Sequence, residues 1–511
     1  MRDLQGGRPP LSADERQRPA QAEGRREGGK LLSRPSAGTG NAPAARPRQK
    51  TGRDDASKTR LADAIAALYA SADRRLSPIG GILLAVSGGP DSLALLIAAS
   101  AWKRSAGQAA PEIRVATVDH RLRPESAAEA AFVAELASRC GLPHETLVWP
   151  GWDGAGNLSA SAREARYELL VSHARRHDLG LVLTGHHHDD DVETHLIRRE
   201  NGADLFGRAG MRPLRWLGPD VLLGRPFLDL PREMLATVVA AEGIAPVDDP
   251  SNRDPAYDRA RIRLALGEDA KLRAKAARDL ARCKEARRRG EGALAGLLAD
   301  LETTGRLRCD GGGAVVLDHT ALSDISDRCA GHLLSRAIVA VSGRAEPPSR
   351  AQIRDLLGWL RAAAIGADRS GNEGARGTRS LGGALVAIEG REIVLMREFG
   401  RTGIPALPLA LAEPLRRGFA PEMAAPVLSD GRAVVDAGSW TGFAGARIVA
   451  LGSLGLGGRR IRCLPVVVDG AGRPRAAAHA ARARLAPGIA PLPLRFLTRR
   501  RLWRDLFDEE A

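Results

Sequence analysis

Apolar positions along this 511-residue chain fall into short aliphatic runs separated by longer stretches of helical period. Leu83–Val86 is such a run. Gly80-Gly81 before it and Gly88-Gly89 after it hold it to strand length, and the apolar stretch beginning at Leu93 is long enough for a buried helix. Ile113–Val118, Glu145–Trp149 and Leu181–Thr184 read as further strands. Leu61–Ala72, Ser126–Cys140 and Leu158–His177 read as helices; the second has Ser126 as cap, Glu129 to close a capping box and Gly141 as stop. Strands alternating with helices predict a doubly wound parallel α/β sheet, covered on both faces. Ligands of such sheets bind beyond the carboxyl ends of the strands, where Ser87, Asp119 and Gly185 all fall.

Beyond this region the pattern changes. Residues 258 to 301 are charged, Ala/Leu-rich and free of proline, which predicts a helical arm, basic over Lys271–Arg289. Its basic face is either a contact for a polyanion or a solvated surface. From residue 302 short strands follow at Ala314–Leu317, Ala384–Ile388, Ile393–Met396, Ile448–Leu451 and Leu464–Val468, read as one or two small α/β modules with a less regular end. The tail Arg499–Arg504 is either an RNA contact or a terminal helix packed through Leu502, Trp503 and Leu506. Residues 1–58 have few large apolar side chains and are expected to be a disordered basic extension. The expected organisation is therefore 1–58, 59–257, 258–301 and 302–511.

Composition adds three constraints. Hydrophobic residues make up 44% and aromatic residues 4% of the chain, so the cores are built from aliphatics. The net charge of +15 and pI near 10.4 favour a polyanionic partner. Five scattered cysteines without a C-x-x-C pair argue against zinc ribbons, iron–sulfur clusters and disulfides, and no run reaches membrane-span length; a cytoplasmic protein is expected.

The chemistry is concentrated in two stretches. Ser87-Gly88-Gly89-Pro90-Asp91-Ser92 joins strand to helix through a glycine turn whose backbone amides and helix N-terminus form a phosphate cradle. A Walker-type G-x-x-x-x-G-K-[ST] string is missing, and Gly455–Gly458 lacks dinucleotide spacing. In Thr184–Thr194, a helix starting near Asp189 places Asp190 and Glu193 on one surface. Carboxylates beside phosphates are how Mg²⁺ is commonly held, and Asp91 and Asp190 are the expected metal ligands.

The string Ser-Gly-Gly-x-Asp-Ser resembles the loop of the N-type ATP pyrophosphatases, the PP-loop superfamily with its adenine nucleotide alpha-hydrolase-like fold. With Val118–Arg123, Ala162–Tyr167, His186–Thr194 and Asp248-Asp249-Pro250-Ser251-Asn252, taken in this order, the chain resembles the tRNA(Ile)-lysidine synthetase family. That resemblance implies ATP-dependent adenylation of the wobble cytidine of tRNA(Ile) with a CAU anticodon, then attack by free lysine to form lysidine. It assigns Ser87, Gly88, Gly89, Pro90, Asp91 and Ser92 to ATP; Asp91, His186, Asp190 and Glu193 are the expected catalytic residues, His186 and Asp190 beside the reacting phosphate and base and Glu193 as either a Mg²⁺ contact or a partner for the lysine amine. Asp249, Ser251, Asn252, Arg261 and Arg263 are assigned to substrate, with ATP and Mg²⁺ as cofactors. Arg163, Arg166 and Arg198 either hold tRNA phosphates or form a solvated face; the assembly is left open, a homodimer included. The sequence departs from the family pattern at Asn201–Asp204, Gly207–Met211 and Arg259–Arg263. Alternatives sharing the loop are a tRNA thiolase, disfavoured by the missing cysteine pairs, and a small-molecule amide ligase, which predicts no basic arm. A non-catalytic RNA-binding protein is disfavoured by the intact loop and acidic cluster.

Overall fold

Leu61, Ile65 and Leu68 recur at helical spacing and are buried in a helix, α1, that runs Gly52–Arg75. The computed structural model describes residues 52–152, 157–248, 258–370 and 376–506, all of which belong to the unit Arg48–Ala511. α1 starts well before Leu61, so residues 52–58 are helical rather than part of a disordered extension. Asp54 and Asp55 in its first turn complement the helix dipole, and Lys58 reaches Glu242 at 2.6 Å. The rest of the expected extension lies outside the described residues.

The first half continues as β1 (Gly81–Ala85), α2 (Pro90–Ala106), β2 (Glu112–Asp119), α3 (Ser126–Arg139), β3 (His144–Val148), α4 (Leu158–Arg176), β4 (Leu181–Leu183), α5 (His188–Glu200), β5 (Leu214–Trp216), β6 (Leu222–Gly224) and α6 (Arg232–Ala241). The sheet order is β3-β2-β1-β4-β6-β5. All pairings are parallel except that of the edge strand β5. This is the doubly wound sheet expected from the alternation. In β1 and just beyond it, Ile82, Leu84 and Val86 enter one core with α1, α2 and α6, while Leu83 and Ala85 enter the opposite core with α4. A strand buried on both faces reads as an unbroken aliphatic run. The chain leaves β1 toward β2 and returns after β3 to β4 on the other side. The crevice between the carboxyl ends of β1 and β4 is the topological switch point.

One local expectation fails. The α3 N-cap is Glu125, without a side-chain cap bond; the Ser126 hydroxyl donates to Arg123 O and Glu129 pairs with the Arg123 guanidinium at 3.1 Å. Arg123 therefore occupies both groups that a capping box would use.

The second half begins with α7 (Asp258–Glu268) and the long α8 (Ala270–Thr303), then β7 (Leu307–Cys309), β8 (Val315–Asp318), α9 (Asp327–Ser342), α10 (Arg350–Ser370), β9 (Arg376–Leu381), β10 (Ala384–Glu389) and β11 (Glu392–Arg397). These strands form a five-stranded sheet, β7-β8-β11-β10-β9, whose core is filled by α9, α10 and the end of α8. The remainder is β12 (Leu407–Pro408), β13 (Pro426–Ser429), β14 (Ala433–Asp436), β15 (Arg447–Ala450), β16 (Pro465–Val468), β17 (Pro474–Ala477), α11 (His479–Arg482), β18 (Ala490–Pro491), β19 (Leu494–Phe496) and α12 (Thr498–Leu502). It makes two further sheets, β12-β15-β16-β17-β18 and β13-β14-β19, where a less regular end was expected. Strands of two to four residues broken by glycine and proline give too short a period to read from sequence.

The two halves share one core. Leu415, Phe419, Ala420, Val434 and Leu497 belong to the same buried cluster as β1 and α2; burying each large side chain contributes about 1.5–3 kcal/mol. Arg416, fully buried, reaches the amino edge of the parallel sheet. Its guanidinium donates to the carbonyls of Asp220 (2.7 Å), Ile79 (2.8 Å), Pro78 (3.1 Å) and Asp178 (3.3 Å). The tail resolves in favour of packing: Leu502 and Leu506 are buried, and Trp503 Nε1 donates to Glu302 at 3.1 Å.

Candidate active site

The turn after β1 is built by its own side chains. Ser87 N–H donates to Ser92 Oγ at 3.2 Å, and that hydroxyl donates to Gly89 O at 2.9 Å. Gly88 has φ +84°, a left-handed conformation that favours glycine. A Cβ there would also lie 2.8 Å from Val247 Cγ2. Gly89 caps α2 without a side-chain bond, and Pro90 opens the helix, so first-turn amides without intrahelical acceptors face the turn. Gly185, after β4, approaches the same turn: a Cβ on it would lie 2.4 Å from Asp91 O.

That approach brings the acidic segment to the loop. α5 is capped by His187, whose ring accepts from Asp190 N while Asp190 Oδ2 accepts from His187 N. His187 Nε2 stands 3.5 Å from Asp91 Oδ2 and 3.4 Å from Asp190 Oδ2. Burial opposes charge on this ring, but the carboxylates of Asp91, Asp190 and Asp189 outweigh it and raise the pKa. His186 shifts the other way. Burial, followed by Arg225, Arg259, Arg166 and Arg163, pushes it well below the ordinary histidine value, and its Nδ1 is 2.9 Å from Thr184 Oγ1. Adjacent histidines therefore favour opposite protonation states.

Asp190 and Glu193 share one surface of α5, as their spacing requires, and Arg259 spans both at 2.7 and 2.8 Å. Arg263 closes the clamp on Glu193 at 2.8 Å. Both Asp190 oxygens are thus engaged, whereas Asp91 Oδ1 is buried without a hydrogen-bond partner. Of the two carboxylates expected to bind Mg²⁺, Asp91 presents the unpartnered oxygen, which suits a hard cation that takes few protein ligands. Arg261 faces elsewhere, paired with Glu200 at 2.8 Å and Asp258 at 3.1 Å. Asp249, Ser251 and Asn252 lie outside the described residues. Just before them, Val247 N–H donates to Gly88 O at 3.0 Å, so the chain runs toward that segment from the glycine turn. At the end of β2 the Asp119 carboxylate accepts from Arg121 N at 2.8 Å. Burial works against its charge, yet that amide and the Arg121 charge hold it below the usual range.

Beside this cluster opens a cavity of about 470 Å³ that includes His186, Thr194, Phe206 and Met211. Arg163, Arg198, Arg212, Arg215, Arg225, Arg259 and Arg287 line it against one acid, Glu291, which pairs with Arg212. Arg225 is 4% exposed, and burial pushes its pKa down to about 10. Such an excess of cationic groups around one cavity, with Arg225 buried among them, suits an anion. His187, Arg212, Arg215, Arg225 and Arg287 were not singled out by sequence reasoning. Arg215 is on β5 and Arg287 on α8, while His187, Arg212 and Arg225 lie just outside α5, β5 and β6, with no spacing signal to join them. Arg163 does line the cavity; Arg198 lines it too, but its guanidinium donates to Gly207 O (3.0 Å) and Gly210 O (2.6 Å).

Comparison with known proteins is consistent with this geometry. Residues 58–270 match the PP-loop domain model, so the chain carries an ATP-binding domain. A tRNA(Ile)-lysidine synthase of Methylobacterium nodulans is 42% identical over 330 residues, 64% of this chain and 93% of that protein. The tRNA(Ile)-lysidine synthase of Ruegeria pomeroyi is 39% identical over 323 residues, 62% of this chain and 71% of that protein. Among solved structures, a U34-tRNA thiolase of Methanococcus maripaludis with its [4Fe-4S] cluster aligns at 13% identity and a TM-score of 0.33, covering 44% of this chain and 80% of that one; at that score it carries no weight. By its PP-loop domain and its identity over nearly the full length of the first of these synthases, the chain belongs to the tRNA(Ile)-lysidine synthase family.

Proposed function

We propose that this chain joins lysine to C2 of the wobble cytidine in the tRNA(Ile) whose anticodon is CAU, using ATP. The observation that carries the reading is the Arg-lined cavity bordered by His186, set next to the Asp91 turn at the switch point. A nucleotide in the cavity and ATP on the turn are neighbours, which turns a three-component reaction into local steps. In the first, the cytidine C2 oxygen attacks the α-phosphorus of ATP. The Pα–O bond to pyrophosphate breaks, and the glycine-turn amides stabilise the departing charge. Asp91 would hold the Mg²⁺ that offsets pyrophosphate charge. In the second, the ε-amine of lysine forms the C2–N bond, loses a proton and expels AMP. Glu193 would hold the lysine ammonium if Arg259 and Arg263 yield it on binding. The cavity arginines hold tRNA phosphates, with the exposed basic face of α8, including Arg282, adding a sequence-independent contact.

The test supplies the full-length protein with labelled lysine, ATP and either the CAU-anticodon tRNA(Ile) or elongator methionine tRNA. Label is expected in the isoleucine tRNA alone, with one AMP released per lysine joined. ATP-dependent labelling of neither tRNA by folded protein removes the proposal.

A further inference from the structure

At the amino edge of the parallel sheet, the far side from the Asp91 crevice, β3 and α4 meet through Glu145, His173 and His177. His173 lies in the last turn of α4 and His177, four residues on, is its C-cap, with the two ring centroids 4.6 Å apart; Glu145 is the second residue of β3. Glu145 Oε2 is 3.5 Å from His173 Nδ1 and 3.9 Å from His177 Nε2. The ligand atoms of all three residues lie within 4.8 Å of one another, the one such His/Cys/Asp/Glu group found among the described residues. Zinc binds nitrogen and oxygen at about 2.0–2.2 Å, which puts neighbouring ligands of a tetrahedral ion roughly 3.3–3.6 Å apart. Small side-chain adjustments bring the three atoms to that spacing.

Hydrogen bonding supplies an independent observation. His173 is 1% exposed, yet neither of its ring nitrogens has a hydrogen-bond partner, and His177 Nε2 is also buried and unpaired. Buried polar atoms are normally satisfied, and an ion would supply what these lack. Arg176 donates to Glu145 Oε1 at 3.0 Å. It therefore orients the carboxylate as an outer-shell partner and leaves Oε2 facing the histidines. Arg114, the other nearby cation, is paired with Glu112 at 2.9 Å.

The geometry points to a divalent-metal site in which Glu145, His173 and His177 hold one zinc ion and staple β3 to α4. Two imidazoles and a carboxylate suit zinc better than magnesium or calcium, which prefer oxygen ligands. Glu145 and His177 are partly exposed, so the ion has a path from solvent and a water for its fourth position. The site is separate from the ligation chemistry.

Chelator-treated full-length protein is titrated with ZnCl₂ by calorimetry beside Glu145→Gln and His177→Gln, both checked by circular dichroism. The wild type is expected to bind one ion at this site, with affinity at least about tenfold weaker in each variant. Isotherms identical to the variants', or no saturable binding by the wild type, overturn the site. The wild type loaded with cobalt(II) gives a readout that needs no variant. Intense visible bands of a four-coordinate nitrogen/oxygen site are expected; the spectrum of aqueous cobalt overturns it.

Discussion

Asp91 is the side chain on which the crevice turns, because one oxygen faces His187 and the other is buried without a partner. Asp91→Asn keeps the shape and removes the charge. The expected result is a loss of AMP formation of about a hundredfold or more, with tRNA binding retained, measured by AMP release and filter binding. The same variant should lower the pKa of His187, read by NMR titration, because the Asp91 carboxylate is one of the groups raising it. The sign follows from linkage. A raised histidine contributes stability that is fully present below its unfolded pKa, near 6.5, and is lost as pH rises through the folded pKa. In Asp91→Asn that contribution shrinks and disappears at lower pH. His186 has the opposite sign: its folded pKa is depressed, so its cost appears as pH falls below about 6.5.

At the scale of elements, the site depends on how closely two loops approach. Gly185 follows β4 by two residues, and a methyl group there would press on the backbone of Asp91 and Ser92. Backbone cannot swing aside as a side chain can. Gly185→Ala is expected to destabilise the protein by about 1–3 kcal/mol and to reduce turnover by moving α5 off the phosphate turn. Gly296→Ala, on α8 with nothing within 4 Å of the added methyl, is the control, expected to stabilise by about 0.5–1 kcal/mol. Thermal melts with parallel activity assays check both. The same elements show what local pattern carries. The β1 run, its glycine stop and the α2 run were legible because a central parallel strand needs aliphatics on both faces and the turn needs glycine. The β5–β6 hairpin was not, since three-residue strands have no period to detect. The capping-box pattern at Ser126 and Glu129 misled, because Arg123 engages both side chains.

For the whole molecule, Arg416 joins the C-terminal sheets to the catalytic sheet from below. Arg416→Met should lower stability by about 3–5 kcal/mol, because the carbonyls of Pro78, Ile79, Asp178 and Asp220 lose a buried cationic partner. Denaturation of the full chain checks this, with limited proteolysis expected to cut first near residues 407–436. A fall in midpoint near that of an exposed arginine substitution would show that the latch is dispensable. The C-terminal third is in this sense part of the PP-loop core, through Leu415 and Phe419. Among the described residues no helix is long and apolar enough to cross a membrane.

The sequence by itself determined the class of sheet, the glycine turn after β1 and the acidic face of α5. Each is local: a stop, a spacing of three or four residues, a run of aliphatics. Family membership was legible from the same blocks. Tertiary structure alone decided which charges meet. It set Arg259 and Arg263 across Asp190 and Glu193, placed His187 between two carboxylates, gathered arginines from separate elements into one cavity and brought Glu145 to the α4 histidines. Apart from the local His187–Asp190 contact, those pairings join residues far apart in the chain, and their protonation depends on burial and neighbouring charge, which no local pattern encodes.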